Sequence, residues 1–186
     1  MGRWPPDSSA RLKACALELF AERGFANVTA AEIAARAGMT ERTFFRHYRA
    51  KEDVLFGDYF GVRDALAAAA EAAPENASVR EVMQAVADAL GDRFEAMRAE
   101  LRKYSEVVRG EPALRARELL RDQEWGEAIA AGLRRRGFSR GKAGRIGAAT
   151  RMTFRLVFDE WVKDKSKTKL ATRFGSALAD LTSDLK

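Results

Sequence analysis

The stretch "TAAEIAARAGMTERTFFRH", residues 29–47, contains two short helical patterns separated by about three residues, one of which is a glycine. The first pattern begins with a capping box, in which Thr29 and Glu32 each bond the other's backbone N–H. It ends at Gly38, and Thr40 is the N-cap of a second helix that carries two arginines. Two short helices on so tight a turn predict a helix-turn-helix, whose second helix enters the major groove of DNA.

Helical spacing divides the side chains of this second helix between the core and the outside. Phe44 is expected in the core. The side chains expected outside are Thr40, Glu41, Arg42, Thr43 and Arg46. Because a guanidinium fork matches the acceptors of guanine, Arg42, Thr43 and Arg46 are predicted to read bases. An ordinary surface helix with both Phe44 and Phe45 in the core has the same spacing, so spacing alone does not decide.

Five further positions around the two helices suit contacts with the DNA backbone. They are Thr29, Thr40, His47, Tyr48 and Lys51. A helix N-terminus offers free N–H groups to phosphate, and cationic or hydroxyl side chains add further contacts. The first 51 residues hold nine basic and five acidic residues, in a chain of 186 residues with a net charge of +6. A solvated basic surface would show the same surplus.

Apolar residues recur at helical spacing through most of the chain, and no convincing strand pattern interrupts them. A first helix carries Cys15 on its core face and ends at Gly24. We predict an all-α fold of about nine helices, with a helix-turn-helix DNA-binding domain over 1–55 and a second helical domain over 56–186. Later helices are expected at about 78–90, 92–109, 112–136, 139–164 and 168–185.

Composition narrows the classes of function. One cysteine forms no internal disulfide, and no apolar run approaches the roughly 20 residues that span a bilayer, so a cytoplasmic protein without membrane contact is expected. His47 is the single histidine, and no motif places a nucleophile beside a base, so an enzyme is not expected. The sequence contains neither a cofactor motif nor metal-ligand spacing, so no cofactor is predicted.

A longer segment carries a resemblance to a known family. "VTAAEIAARAGMTERTFFRHYRAKEDVL", residues 28–55, together with "ALELFAERGF", residues 16–25, resembles the DNA-binding signature of TetR-family transcriptional regulators. The resemblance implies an all-α homodimer whose residues 56–186 form the ligand-binding and dimerisation domain. It also implies that the protein represses by binding an operator and releases it when a small molecule binds this C-terminal domain. Phe45 departs from the family's frequent tyrosine, which commonly touches DNA, so only an apolar contact is expected there. Arg49-Ala50 replaces a frequent Pro-Ser pair.

The last two predicted helices each carry an apolar stripe. In proteins of this family the last two helices usually build a four-helix dimer interface, so the resemblance implies a homodimer there. The residues predicted at this interface are Ile146, Thr150, Val157, Trp161, Phe174, Leu178 and Leu181. A stripe that covers the protomer's own core would have the same spacing.

The ligand-binding domain would need an apolar pocket. The residues predicted to line it are Met83, Phe94, Met97, Leu101, Tyr104, Val108, Trp125, Ile129, Phe154 and Phe158. Met and aromatic side chains make adaptable apolar walls, although the same residues would serve as plain core.

Two observations bear on the ligand. The segments "RTFFRHYRAKEDVLFGD", residues 42–58, and "EPALRARELLRDQEWGEAIA", residues 111–130, together resemble the TetR subgroup with an acyl-CoA-like ligand, which includes the mycofactocin regulators. Residues 128–158 contain no acid but eight basic residues: Arg134, Arg135, Arg136, Arg140, Lys142, Arg145, Arg151 and Arg155. These could hold an anionic headgroup such as a CoA phosphate, or form a solvated basic turn.

The sequence therefore predicts a dimeric, TetR-like repressor with double-stranded operator DNA, a second copy of itself and a small apolar or acyl-CoA-like effector as partners. The alternative is an all-α protein that binds a small molecule without regulatory DNA binding. DNA selection would separate the two.

Overall fold

The computed structural model describes residues 8–56, 61–74 and 76–183, without the side chains of 181–183. This part of the chain forms ten α-helices and a short 3-10 helix, Phe25–Asn27, and contains no strand, which confirms the all-α prediction. The α-helices are α1 Ser8–Arg23, α2 Ala30–Arg36, α3 Glu41–His47, α4 Asp53–Phe56, α5 Val62–Ala72, α6 Val79–Ala96, α7 Arg98–Gly110, α8 Pro112–Arg135, α9 Arg140–Trp161 and α10 Leu170–Ser183.

The helix starts follow capping residues. Thr29, Thr40, Ser78 and Ser139 each accept a hydrogen bond from a backbone N–H in the first turn of the helix that follows. Hydroxyl N-caps satisfy backbone donors that the helix itself leaves free, which is why these boundaries are readable from sequence.

The break predicted near residue 91 is wrong. α6 continues through Gly91 to Ala96, and the chain bends at Met97 instead. A Cβ at Gly91 would lie 3.2 Å from the Cβ of Ala171 in α10. This glycine therefore allows close packing of two helices and does not end one.

The described residues form two units. The first contains the residues up to Phe56 together with Lys103–Glu118. In its core, the later segment contributes Tyr104, Val108 and Leu114 beside residues of the first helices. Cys15 packs against the same core, and burial raises the pKa of its thiol. The domain boundary after residue 55 remains a prediction. Nothing in the sequence indicated that a later segment, Lys103–Glu118, belongs to the N-terminal unit.

The second unit contains the described residues from Gly61 to Arg102 and from Leu119 onward. Trp161 and Phe174 are its largest fully buried side chains. Arg98 and Arg102 bind the end of α9 and the loop after it. They donate hydrogen bonds to backbone carbonyl oxygens in the segment from Trp161 to Ser166, at 2.8–3.1 Å. No described helix combines the length and the apolar run that crossing a bilayer requires.

Candidate DNA-binding surface

The turn between α2 and α3 is a Schellman motif. Gly38 has a φ of 68°, the N–H of Met39 donates to the carbonyl of Ala34 at 2.8 Å, and the N–H of Gly38 donates to that of Ala35 at 3.0 Å. A side chain at this φ is strained, which explains the glycine. The predicted tight turn is thus present and brings α3 directly after α2.

The outward face of α3 is formed by exposed polar and cationic side chains around one exposed ring. The exposed residues are Thr40, Glu41, Arg42, Phe45, Arg46 and His47, with Arg49 just after the helix. Phe45 is 50% exposed, whereas Phe44 is fully buried and meets it edge-on at 5.5 Å between ring centres. The two adjacent phenylalanines are therefore divided between surface and core, and the prediction for Phe44 is confirmed.

The predicted outward position of Thr43 is wrong. Its side chain is only 3% exposed, and its hydroxyl lies 3.0 Å from that of Thr40. The backbone N–H of Thr43 also donates to the Thr40 hydroxyl, at 3.2 Å. Thr43 lies one turn from the N-cap and belongs to the inner side of α3, where it is covered by protein and not offered to a base.

Tyr48, predicted at a phosphate, is buried in the unit's core. Its hydroxyl shares a hydrogen bond of 2.7 Å with the Ser9 hydroxyl and donates to the Ser9 carbonyl at 3.3 Å. Its ring packs on Phe44, with ring centres 5.3 Å apart. The hydroxyl that would meet phosphate is therefore engaged with α1.

Lys51, also predicted at a phosphate, is bonded to the protein itself. Its amine donates to the carbonyl oxygens of Phe25 and Val28, at 2.7 and 2.9 Å. The same amine lies 4.2 Å from the centre of the Phe25 ring, within cation–π range. The lysine therefore ties the segment after α3 to the segment before α2.

The capping box at Thr29 is confirmed. The Glu32 carboxylate accepts hydrogen bonds from the backbone N–H and the hydroxyl of Thr29, at 2.8 and 2.9 Å, and lies 2.8 Å from the Arg23 guanidinium. These contacts, the backbone bond first, lower the pKa of Glu32 to about 2. A DNA phosphate that contacted Thr29, as predicted, would have to bind at the same helix N-terminus as the Glu32 carboxylate.

Two contacts at this surface were missed from the sequence. Arg11 of α1 donates to the carbonyl oxygen of Ala37, at 2.5 Å, directly before the turn. Asp53 accepts from the backbone N–H of Ala50, at 2.9 Å, and its other oxygen is paired with Arg117 of α8. No local motif signals the Arg11–Ala37 or the Asp53–Arg117 contact, because these partners are 26 and 64 residues apart in sequence.

The residues predicted at a dimer interface lie inside the second unit. Those that are buried in its own core are Ile146, Thr150, Val157, Trp161, Phe174 and Leu178. Leu181 lies outside the residues with described side chains. The stripe thus covers the protomer's core, as the alternative interpretation held, and offers no exposed face. Met152 and Leu156 of α9 are instead exposed.

The ten residues predicted to line a pocket do not form one group, although seven of them lie in or against the same core. Tyr104 and Val108 belong to the core of the first unit. Those that belong to the second unit's core or pack against it are Met83, Phe94, Leu101, Trp125, Ile129, Phe154 and Phe158, while Met97 is half-buried at the end of α6. The rings of Phe94, Phe154 and Phe158 fill one another's space, with centres 5.8–6.4 Å apart.

An open groove of about 470 Å³ runs along α6 and α10 and is lined by other residues. They are Gln84, Asp88, Gly91, Asp92, Lys169, Ala171, Thr172 and Gly175.

Part of the basic segment, residues 128–158, is neutralised within the protein, because Arg135 pairs with Glu71 at 2.6 Å and Arg155 pairs with Asp122 at 2.5 Å. Two of the eight basic residues are therefore paired with acidic residues of the protein itself.

Comparisons with known proteins agree with the all-α fold and its N-terminal helix-turn-helix. Residues 14–56 match the family model of bacterial regulatory proteins of the tetR family. The chain is 28% identical over 182 residues, covering 95% of itself and 90% of the relative, to the "Putative mycofactocin biosynthesis transcriptional regulator MftR" of Mycobacterium tuberculosis. It is 35% identical over 68 residues to the HTH-type transcriptional regulator TcmR of Streptomyces glaucescens, covering 37% of this chain and 30% of TcmR.

A solved structure is similar over nearly the whole length. Thermus thermophilus FadR, a TetR-family transcriptional repressor in complex with lauroyl-CoA, superposes with a TM-score of 0.60 at 25% identity, covering 96% of this chain and 95% of FadR. The helix-turn-helix and the helical C-terminal domain are thus those of the TetR fold.

Proposed function

We propose that this chain, which belongs to the TetR family of transcriptional regulators, is a repressor that binds a palindromic operator as a homodimer and releases it when a small apolar or acyl-CoA-like effector binds. The observation that carries the DNA-binding part is the outward face of α3, where Arg42 and Arg46 flank the exposed ring of Phe45. The chain would read DNA with this face.

The chemistry of these side chains suits base edges. Arg42 and Arg46 would each present a fork of donors to O6 and N7 of guanine, worth about 1–3 kcal/mol of discrimination per pair. Phe45 would make apolar contact with a thymine methyl group. Arg49 and His47, at the end of the helix, are exposed and would contact phosphates, together with Thr40 at its start.

A homodimer is the assembly that suits a palindromic operator, because its twofold axis matches that of the DNA site. Two copies of α3 related by a twofold axis would contact half-sites about 34 Å apart, or a multiple of that distance. Met152 and Leu156 are exposed apolar side chains one turn apart on α9. We propose that this outward face of α9, and not the buried stripe, meets the same face of a second copy.

The effector is proposed from the relatives and from the composition of the second unit. FadR of Thermus thermophilus holds lauroyl-CoA, and MftR is similar over nearly its whole length. An acyl chain would enter between the rings of Phe94, Phe154 and Phe158, which would have to separate. Exposed arginines of the basic segment, such as Arg140 and Arg145, would attract the phosphates.

Selection of bound duplexes from a randomised DNA library by the purified protein tests DNA reading. We expect one enriched motif with twofold symmetry, and a pool without enrichment would contradict the function.

Fluorescence anisotropy on the enriched duplex then tests the effector. Lauroyl-CoA should raise the dissociation constant at least about tenfold, as typical allosteric coupling does, whereas free CoA should not. Unchanged affinity with lauroyl-CoA would reject this effector class and leave DNA reading intact.

A further inference from the structure

The first turn of α1 is bonded to the chain on both sides of α3. Before α3, the Arg11 guanidinium donates to the carbonyl oxygen of Ala37, the C-cap residue of α2, at 2.5 Å. At the other end, Tyr48 is the C-cap residue of α3, and its hydroxyl bonds the hydroxyl of Ser9 at 2.7 Å. Ser9 and Arg11 are two residues apart, so one short piece of α1 contacts the chain before and after the helix that faces DNA.

The Arg11 contact completes the turn. In the Schellman motif, the carbonyl oxygens of Ala34 and Ala35 accept from the N–H groups of Met39 and Gly38, but the turn itself supplies no donor for that of Ala37. Arg11 supplies one from another helix, and its charge lies favourably at the negative end of α2. A Cβ at Gly38 would lie 3.3 Å from the same guanidinium, so this side chain packs directly over the turn.

The Ser9 contact fixes the far end. The Tyr48 ring is buried against Phe44, and the hydroxyl also donates to the carbonyl of Ser9 at 3.3 Å. A helix as short as α3 has little stability of its own and takes its direction from such tertiary contacts. Base reading needs the arginine forks placed within a fraction of an ångström, which a helix free to rock cannot provide.

We propose that Ser9 and Arg11 are positioning residues for DNA reading, which hold α3 at the angle that brings Arg42 and Arg46 to base edges. The proposal rests on the proposed function. In this role the Arg11 guanidinium bonds a carbonyl oxygen of the protein's own backbone and does not contact a phosphate of DNA. The Tyr48 hydroxyl likewise has a role in setting the angle of α3, in place of the predicted phosphate contact.

The test measures two dissociation constants, one for the duplex most enriched in the selection and one for a scrambled duplex of the same composition. Arg11→Met removes the donor and keeps the length of the side chain. We expect the ratio of the dissociation constant for scrambled DNA to that for the enriched duplex to fall about tenfold, as loss of a charged hydrogen bond predicts. The affinity for scrambled DNA and its salt dependence should stay at the wild-type values. Arg115→Met, at an exposed arginine of the same unit, is the control and should leave the ratio unchanged.

Each alternative role gives a different result. If Arg11 contacts phosphate, both affinities fall and the slope of log affinity against log salt becomes shallower by about one, which would overturn the proposal. A purely structural role lowers the fraction of active protein for both duplexes and leaves the ratio unchanged, which would also overturn it.

A second variant covers the case in which Arg11→Met fails to fold. Tyr48→Phe removes one oxygen atom and should lower the ratio about two- to tenfold. A wild-type ratio in Tyr48→Phe would reject the role of the Ser9 contact. A wild-type protein without any preference for the enriched duplex would instead contradict DNA reading itself, so the two failures are distinguishable.

Discussion

The amine of Lys51 donates a hydrogen bond to the carbonyl oxygen of Phe25 at 2.7 Å and lies 4.2 Å from the centre of the same residue's ring. A second bond, to the carbonyl of Val28, has a length of 2.9 Å. One side chain thus satisfies two carbonyl oxygens in the connection between α1 and α2. This connection leads directly to the capping box of α2. Lys51 therefore stabilises the helix-turn-helix by bonding the segment after α3 to the segment before α2.

Lys51→Met should therefore destabilise the N-terminal unit. Loss of two hydrogen bonds from a charged donor should lower the free energy of unfolding by about 2–3 kcal/mol. Hydrogen-exchange mass spectrometry should show faster exchange over residues 25–32 than in the wild type, and denaturant titration gives the free energy.

Arg49→Met is the matched control, because Arg49 is an exposed cation two residues earlier. Its stability should stay within about 0.5 kcal/mol of the wild type, as for ordinary surface substitutions. If Lys51→Met keeps wild-type stability and only flattens the salt dependence of DNA binding, Lys51 is a phosphate contact and the internal role is rejected.

Arg42→Ala and Arg46→Ala should each weaken binding to the enriched duplex by about 1–3 kcal/mol, because each removes a guanidinium from the outward face of α3. Binding to scrambled DNA should change much less. Anisotropy titrations with both duplexes measure the effect, and a repeat selection should show relaxed preference at the positions each arginine reads. Arg134→Ala, which removes an exposed arginine of the second unit, serves as the charge control. An equal loss in all three variants would point to a general charge effect.

The capping box makes stability depend on pH. The hydrogen bonds from Thr29 lower the pKa of Glu32 from its ordinary 4.5 to about 2 in the folded protein. The unfolded chain therefore takes up the proton first, so the stabilisation is fully present above about pH 4.5 and is lost as the pH falls towards 2. Glu32→Gln should be less stable than the wild type at neutral pH, with a difference that shrinks over this window. Denaturant midpoints measured from pH 7 to 2 test this, and a constant difference would refute it.

Two glycines lie one turn apart on α9, and replacing each of them with alanine should change the free energy of unfolding in opposite directions. A Cβ at Gly147 would clash with the carbonyl oxygen of Gly126 in α8, whereas a Cβ at Gly144 meets nothing within 4 Å. Gly147→Ala should lower the free energy of unfolding by about 1–3 kcal/mol through overpacking. Gly144→Ala should raise it by about 0.5–1 kcal/mol through helix propensity. Thermal and denaturant unfolding of both variants measures the difference, and equal stabilities would contradict the close crossing of α8 and α9.

The parts of the fold that sequence reasoning predicted are those set by nearby residues. Thr29, Thr40 and Ser139 cap their helices because a hydroxyl reaches N–H groups only three positions ahead. Burial of Phe44 follows from helical period for the same reason. Gly38 takes its positive φ as the turn between two adjacent helices requires.

The parts that were missed depend on partners far along the chain. Tyr48 meets Ser9 across 39 residues, and Arg117 meets Asp53 across 64. No periodic pattern reports such pairs. The stripe on α9 shows a related limit, since its period correctly marks buried residues but does not tell whether the covering helix belongs to the same protomer or to a partner.

The exposed apolar residues of α9 allow the dimer to be tested. Leu156→Glu would place an unpaired carboxylate in the proposed interface, which costs several kcal/mol, so the dimer dissociation constant should rise about a hundredfold or more. Analytical ultracentrifugation across a range of protein concentrations measures it. Leu119→Glu is the matched control, because Leu119 is 56% exposed and Leu156 is 59% exposed, and it should leave the dimer intact. The opposite outcome, with Leu119→Glu monomeric and Leu156→Glu dimeric, would move the interface to α8. A fully monomeric wild type would reject the homodimer, and with it the reading of a twofold operator by paired α3 helices.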